Sequence, residues 1–488
     1  MRRHHNDRVK ELETQLDELR KQEQQALVDR RISKQMEEIA YGQQALSEER
    51  SREAIRQSEI AQMMTLRSET ERRNALDAQS AAEYSAEEAL TSYQLAERRR
   101  LQADFARHVA DTLNYISLGR TLGSQSYVIY KAGNTELGNM LAYASYLYTN
   151  AYGGSLYSAS VYPALTQSAE SRQDWSIHNG SITRVDFFPK RAQLLTVSTY
   201  GEIYNHEMKN GRLSSKRLFN NKSYCFRDAY ASENGKSYAV SHTGHLVITG
   251  HGETQIIYLE GAVRPFRIVS MNDGRQLLIA GERSISLFDV ATSKVIRTRQ
   301  LDFNIISTGR SDHHPLLFDD QNRMHLINDI DNLKTSKQPV SGRVTAFASS
   351  RNEHLSAYGM SDGTIWLIDG KGHANKLVSH LSEVTKLMFI GRRLYSSSYD
   401  GKLQFWMTNE AQIMPITLFE AESWMMDFTF DAGKNYIWTV ESNGTMTEYL
   451  MSLPLISERL RKNVKRNFTP EEWDYYVGKG IPYRKLKE

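Results

Sequence analysis

Two patterns of apolar residues divide this chain. Near its start, Val9, Leu12, Leu16 and Leu19 step by 3, 4 and 3 residues, and Ile32, Met36, Ile39 and Leu46 resume the stepping in a shifted frame. Such spacing lays one narrow apolar seam along a helix. Glu23 and Arg30 fall on the seam, its spacing weakens beyond about residue 50, and alanine takes over in 75–96. A seam with frame breaks predicts a coiled coil, the alternatives being a solvated single helix or one folded back on itself. Fully helical, about 110 residues would reach roughly 165 Å. Residues 118–134 and 135–154 then show helical spacing with more aromatic side chains, ending at Gly133-Asn134 and Gly153-Gly154. A third helix is expected over 155–170, with Pro163 kinking it or delaying its start.

From residue 178 the period changes. A unit of about 40 residues recurs: an apolar strand, a second apolar strand, a polar turn and a third strand rich in aromatic residues. The clearest copies contain LLTVSTYGEIYNHEM, LSAYGMSDGTIWLID, LYSSSYDGKLQFWMT and YIWTVESNGTMTEYL. Turn markers at Gly201, Gly244, Arg283, Asn322, Gly363, Gly401 and Gly444 give intervals of 43, 39, 39, 41, 38 and 43 residues. A small sheet of this kind cannot bury both faces alone, so seven copies predict a closed ring of sheets, a β-propeller. The second strands, such as LLTVS and YIWTV, are apolar on both sides, as strands covered on both faces must be. The Asp-Gly pairs at 362–363 and 400–401 and Asn-Gly at 443–444 suit turns that need positive φ. The last copy lacks an outer strand, and QDWSIHN (173–179) has the alternation to supply it and join the end of the ring to its beginning.

Composition sharpens the division. Residues 1–118 hold one glycine, Gly42, and no proline or tryptophan, whereas the whole chain of 488 residues has 29, 9 and 6 of these. A stretch so free of breakers is helical. The domains expected are a charged helix or coiled coil (1–117), a helical hairpin linker (118–171), a seven-bladed propeller (172–452) and a basic helical tail (453–488). The fold class is therefore mainly β, with an α-helical N-terminal part. Lys and Arg number 61 against 58 Asp and Glu, so nucleic acid is not an expected partner. The start MRRHHNDRVKELETQ has no apolar stretch behind its positive charge, and nowhere do 18 consecutive apolar residues occur. The chain is read as cytoplasmic, with neither a secretory signal nor a transmembrane segment.

The repeats resemble the WD-repeat family, most clearly in the sixth copy. There His380 stands four residues before Val384, Ser396 lies in the second strand, Asp400 opens the turn and Trp406 ends the third strand. The resemblance implies a hydrogen-bonded chain within the blade through His380, Ser396, Asp400 and Trp406. The first copy keeps His178 and Thr196 but has Tyr200 and His206 in the other two places. The order of an Ala/Glu/Arg-rich helix, LGRTLGSQ, a Leu/Ala/Tyr-rich hairpin and the repeats resembles the C-terminal half of bacterial signalling proteins that carry a STAND-type NTPase or caspase-like domain upstream. The tail 467–486 is similar to one found after such propellers. Its Thr469, Pro470 and Glu472 make a helix start.

Catalytic motifs are not found: the sequence has no GxxxxGK[ST], HExxH or GxSxG. The single Cys225 suits a buried inert thiol, and the pairs His4-His5, His242/His245 and His313-His314 lack a third ligand. Neither a metal nor a cofactor is expected. The basic run Arg459, Arg461, Lys462, Lys465 and Arg466 is read as a solvated or internally docked helix face. The reading is a non-catalytic interaction scaffold. Its first 100 residues oligomerise or space it, and its propeller face holds proteins or peptides. Thr199, Ser361, Tyr399 and Ser442, beside the tight turns, are the candidate binding rim. The alternatives are a sensor subunit of a bacterial signalling system working with a separate NTPase or protease, and a propeller-based hydrolase.

Overall fold

The repeat is built as seven four-stranded antiparallel sheets. In the computed structural model, residues 49–74 and 87–487 are described, with isolated helical positions between 13 and 33. Each blade runs from its inner to its outer strand in chain order. The sixth, for example, comprises Val384–Ile390, Arg393–Ser398, Lys402–Met407 and Pro415–Glu420. The seventh has only three strands of its own, and Arg172–Ser176 pairs antiparallel with Thr445–Leu450 as its fourth. Trp175 of that strand stacks on Trp438, with ring centroids 5.6 Å apart. Thr447 also donates to Asp174 at 2.9 Å.

The core lies between the sheets. Val185 and Leu194 of the first blade pack with Trp438, Val440 and Met446 of the seventh. In the same way, Ala357 and Ile365 of the fifth pack with Leu387 and Trp406 of the sixth. A fully buried side chain of this size stabilises the fold by about 1.5–3 kcal/mol relative to exposure. Second strands are accordingly covered throughout (Ser237–Ser241), while outer strands such as Asn332–Lys337 face solvent. This is the physical reason for the double-sided apolar pattern of the second strands.

In the turns between second and third strands, the positive φ expected of the Asx-Gly pairs falls on the glycine. In Met360-Ser361-Asp362-Gly363 the Gly363 N–H donates to the Met360 carbonyl at 3.2 Å, and only Gly363 (φ 87°) is left-handed. Asp362 instead accepts the Thr364 N–H at 2.9 Å. Asp400 and Asn443 do the same for residues 402 and 445. The Asx-Gly pair is thus split between a side-chain acceptor and a left-handed glycine. In the fourth blade Asn322 takes the left-handed position (φ 57°).

By contacts the chain divides into two units, Met1–Thr121 with Tyr148–Gly154, and Leu122–Leu147 with Ser155–Glu488. Helix α1 spans Glu87–Lys131, so the boundary expected at 117/118 falls inside a continuous helix that runs on through Gly119 and Gly123. In the first unit Arg120 pairs with Glu49 at 3.0 Å and Glu53 at 3.6 Å. A single straight helix would hold residues 49 and 120 about 105 Å apart, so the chain folds back on itself. Of the expected seam, Val9, Leu12, Leu19, Ile32, Met36, Ile39 and Leu46 lie outside the described residues, as do His4 and His5; Leu16 is described and is exposed.

In the second unit, the hairpin continues from α1 into α2 (Thr135–Ala151), and Ser126 donates to the Gly138 carbonyl at 2.8 Å. Helix α3 (Tyr162–Ser168) starts late, with Pro163 in its first turn. Helix α4 (Leu453–Asn463) follows the last blade, and Asn463 donates to the Ser168 carbonyl at 2.8 Å. The basic run is docked in part: Arg459 reaches the Glu170 carbonyl and Arg466, just past the helix, pairs with Glu136 and Glu472, while Arg461, Lys462 and Lys465 are exposed. Thr469 and Glu472 form a capping box ahead of α5 (Pro470–Trp473). Among the described residues no helix is long and apolar enough to cross a membrane.

Candidate protein-interaction face

The sixth blade brings its four expected residues together. The buried His380 places Nδ1 3.1 Å from Asp400 Oδ2 and Nε2 2.8 Å from Ser396 Oγ. Trp406 Nε1–H donates to the same Ser396 Oγ at 3.0 Å. Donor–acceptor balance assigns the rest: Ser396 donates to Nε2, and Nδ1–H donates to the carboxylate. Burial pushes the Asp400 carboxyl up, but the His380 bond and the Leu381 and Lys402 N–H donors outweigh it and hold it below its usual range. The chain runs from the third strand through the second to the loop before the blade, so that loop and the Tyr399-Asp400-Gly401 turn are held as one piece.

Two other blades carry variants, of which the sequence pattern exposed His178, Thr196 and His206 in the first but not its acid, and none of the fourth. In the first, His178 Nε2 lies 2.6 Å from Thr196 Oγ1, which lies 2.6 Å from His206 Nε2. The acid on His178 Nδ1 is Glu202, at 3.1 Å, two residues beyond Tyr200, which stands where the sixth blade has Asp400. Burial lowers His206 to about 3, so this imidazole is neutral. In the fourth blade His325 bridges Asp319 and Thr335 at 2.9 and 2.7 Å under the Phe303 ring. A shifted acid and a histidine in place of tryptophan still complete a buried polar chain, since what matters is that each donor meets an acceptor.

The four candidate rim residues lie beside the turns of blades one, five, six and seven. Two of them touch Trp424. The Tyr399 ring lies 5.2 Å from that of Trp424, and Ser442 Oγ accepts the Trp424 N–H at 3.2 Å. Ser361 is exposed and Thr199 half-buried, with no part in this cluster. Trp424 is 59% exposed, Leu381 77% and Tyr200 48%. Leu381 is fixed beside Tyr399 because its N–H donates to Asp400 at 2.9 Å. Tyr200 packs over Gly180, and the Gly444 turn of the seventh blade lies against the carbonyls of His178 and Gly180. Leu381, Tyr399, Trp424 and Tyr200 therefore form an arc over blades six, seven and one. Comparison with known protein families and with curated proteins finds no match to this sequence.

Sequence reasoning missed Trp424, Leu381 and Tyr200. It looked for anchors only in the tight turns, whereas Trp424 and Leu381 sit in loops entering the inner strands. The available signal was the type of residue: an indole and an isobutyl group in SHLSEV and AESWMM, loops otherwise filled with small or charged side chains. Electrostatics around the arc are mixed. Burial holds the Tyr399 phenol above its ordinary value, with Glu383 adding to this and Arg267 and Arg227 opposing it.

Charged groups on the inner strands are tied between blades. Asp427 of the seventh blade pairs with Lys386 of the sixth at 2.9 Å and with Arg184 of the first at 3.3 Å, and accepts the Val185 N–H at 3.0 Å. Asp228 of the second blade pairs with Arg184 at 3.2 Å and accepts the Ile268 N–H of the third at 2.7 Å. Asp186 accepts the Ala231 N–H at 2.8 Å. These carboxylates act as bridges between neighbouring sheets. Among the described residues no group of three or more His, Cys, Asp or Glu is placed to hold a metal ion.

Proposed function

We propose that this protein is a non-catalytic scaffold that holds a partner protein or peptide on the propeller face bearing Tyr399 and Trp424. The observation carrying this reading is the arc of exposed Leu381, Trp424 and Tyr200, with half-buried Tyr399, on a frame locked by the His380–Ser396–Trp406 chain. Aromatic side chains held rigidly lose little entropy when a partner covers them, which suits them as anchors. The helices of the N-terminal part would space or oligomerise the chain in the cytoplasm, the first 100 residues being the segment concerned. The blade-six hydrogen-bond chain favours WD-repeat kinship. The order of helices, hairpin and blades keeps open the sensor role beside a separately encoded NTPase or protease in bacterial signalling.

Recovery of partners on the tagged full chain, by crosslinking in its own cells and mass spectrometry, tests this. Wild type should recover one chain near stoichiometrically, and Trp424→Ser with Leu381→Ser should lower that recovery at least tenfold while the melting temperature is kept. Equal recovery by wild type and variant would remove the arc from the function.

A further inference from the structure

The antiparallel meander puts two kinds of loop at opposite ends of each blade. The turns joining second to third strands share one end with the Trp424 arc, and the loops joining first to second strands lie at the other. At that other end, blades six and seven enclose a cavity of about 330 Å³. Arg393 begins the second strand of blade six, Lys434 lies in the corresponding loop of blade seven, and Leu453 opens helix α4 at the wall. Tyr157, Tyr395 and Phe430 supply aromatic surface.

The lining holds two cations and no carboxylate. The half-buried Arg393 guanidinium lies 4.3 Å from the centroid of the Tyr157 ring, and its ionisable neighbours are Tyr157 and Tyr395. Lys434 is exposed at the rim. Among the described residues neither cation forms an ion pair, unlike Arg466 at 2.6 Å from Glu472 or Lys386 at 2.9 Å from Asp427 in the same unit. Helix α4 adds no acidic residue in its first turn, and its N-terminal dipole has the same sign as the cations. A half-buried guanidinium without a counter-charge is costly, and a ligand anion would offset that cost.

The walls are already organised. Tyr395 meets Phe430 edge-on at 4.8 Å, and Tyr157 meets Phe405 edge-on at 5.4 Å. The Arg393 guanidinium is hydrogen-bonded to the Tyr157 and Tyr395 side chains, and with five N–H donors it has others for the planar oxygen pair of a carboxylate. Burial holds the Tyr395 phenol above its ordinary value despite Arg393, so it stays protonated and able to donate.

We propose that this cavity binds an organic carboxylate, its charge held by Arg393 and Lys434 and its apolar body covered by the Tyr395–Phe430 wall. Hydrated inorganic phosphate would leave that wall uncovered. A free acid and a peptide chain end both carry this group, and the experiment separates the two sources.

The test uses the full chain, with saturation-transfer NMR and calorimetry. Its probes are phenylacetate, phenylacetamide, inorganic phosphate, and a pentapeptide ending in Phe with free or amidated C-terminus. Phenylacetate should saturate at or below ~10 mM, the range open to so small a ligand. The neutral amide should bind at least tenfold more weakly. Arg393→Gln should weaken the acid at least tenfold, Arg393→Lys by less, and Lys434→Gln severalfold. Lys434 is exposed, so its variant keeps the test open should Arg393→Gln lower the melting temperature. Tighter binding of the free-ended peptide assigns the site to chain termini and tighter binding of phenylacetate to free acids; either order supports the carboxylate reading. Acid and amide binding alike, no saturation by ~10 mM, phosphate binding as tightly as phenylacetate, or no effect of Lys434→Gln and Arg393→Gln would each overturn it.

Discussion

Replacing Asp427 by Asn tests whether the inner charges hold the ring together. Asp427 serves three blades: Lys386 of the sixth at 2.9 Å, Arg184 of the first at 3.3 Å and the Val185 N–H at 3.0 Å. Asparagine keeps the shape and can accept the N–H, but its amide cannot neutralise either cation. Removing one partner of a buried pair costs about 3–5 kcal/mol. Two contacts soften the loss, since Arg184 retains Asp228 at 3.2 Å and Lys386 donates to the Phe428 carbonyl at 2.6 Å. The expected loss is therefore about 3 kcal/mol, at the lower end of that range. Urea unfolding followed by tryptophan fluorescence would measure it. Lys386→Met should remove one of the stranded cations, so Asp427→Asn with Lys386→Met should recover at least about 1.5 kcal/mol relative to the sum of the single changes. A loss under about 0.5 kcal/mol for Asp427→Asn, or strict additivity in the double variant, would refute a cross-blade electrostatic lock.

Three further outcomes follow from the same geometry. Ser396→Ala leaves the His380 Nε2 and the Trp406 N–H without a partner in the core and should cost about 2 kcal/mol, whereas Ser396→Thr, the residue found at 196 in the first blade, should be nearly neutral by thermal melting. Gly363→Ala should cost clearly more than Gly372→Ala. Both glycines are left-handed (φ 87°), but a Cβ at 363 would clash with the His380 carbonyl oxygen and one at 372 would meet nothing within 4 Å; equal losses would show that backbone conformation alone matters. Glu448 is raised from an ordinary 4.5 to about 7, by burial against the opposing Arg459 and with Asp431 adding to it. The folded chain holds this proton more tightly than the unfolded chain, so stability is fullest below pH 4.5 and falls as pH rises through 7. Glu448→Gln should therefore stabilise by about 1–2 kcal/mol at pH 8, allowing for solvent near the carboxyl, and by nothing near pH 4.5. Melting curves at the two pH values decide this, and a pH-independent difference would count against it.

The ring was legible because its cause is local and repeated. Seven units near 40 residues, with second strands apolar on both sides and glycine after a polar residue in most turns, leave little choice but sheets that cover one another. The closing strand was legible too, since Arg172–Ser176 fills the one vacancy in the count of strands. His380, Ser396, Asp400 and Trp406 were legible because four residue types in one copy stood at spacings that resemble those of WD repeats. Glu202 and His325 were not, because their partners are selected by proximity across strands rather than by spacing.

What the sequence determined by itself is the period of its apolar positions, and through it the sheets, their number and the helical character of the N-terminal part. Tertiary structure decided what depends on distance between segments far apart in the chain. It placed Trp424 against Tyr399, put Asp427 between Lys386 and Arg184, and folded residues 49–53 back to Arg120. It also gathered Arg393 and Lys434 around one cavity whose lining holds no carboxylate. Periodicity is a property of neighbours along the chain and survives in one dimension. Charge pairing and surface patches are sums over neighbours in space, and those neighbours exist only once the ring has closed.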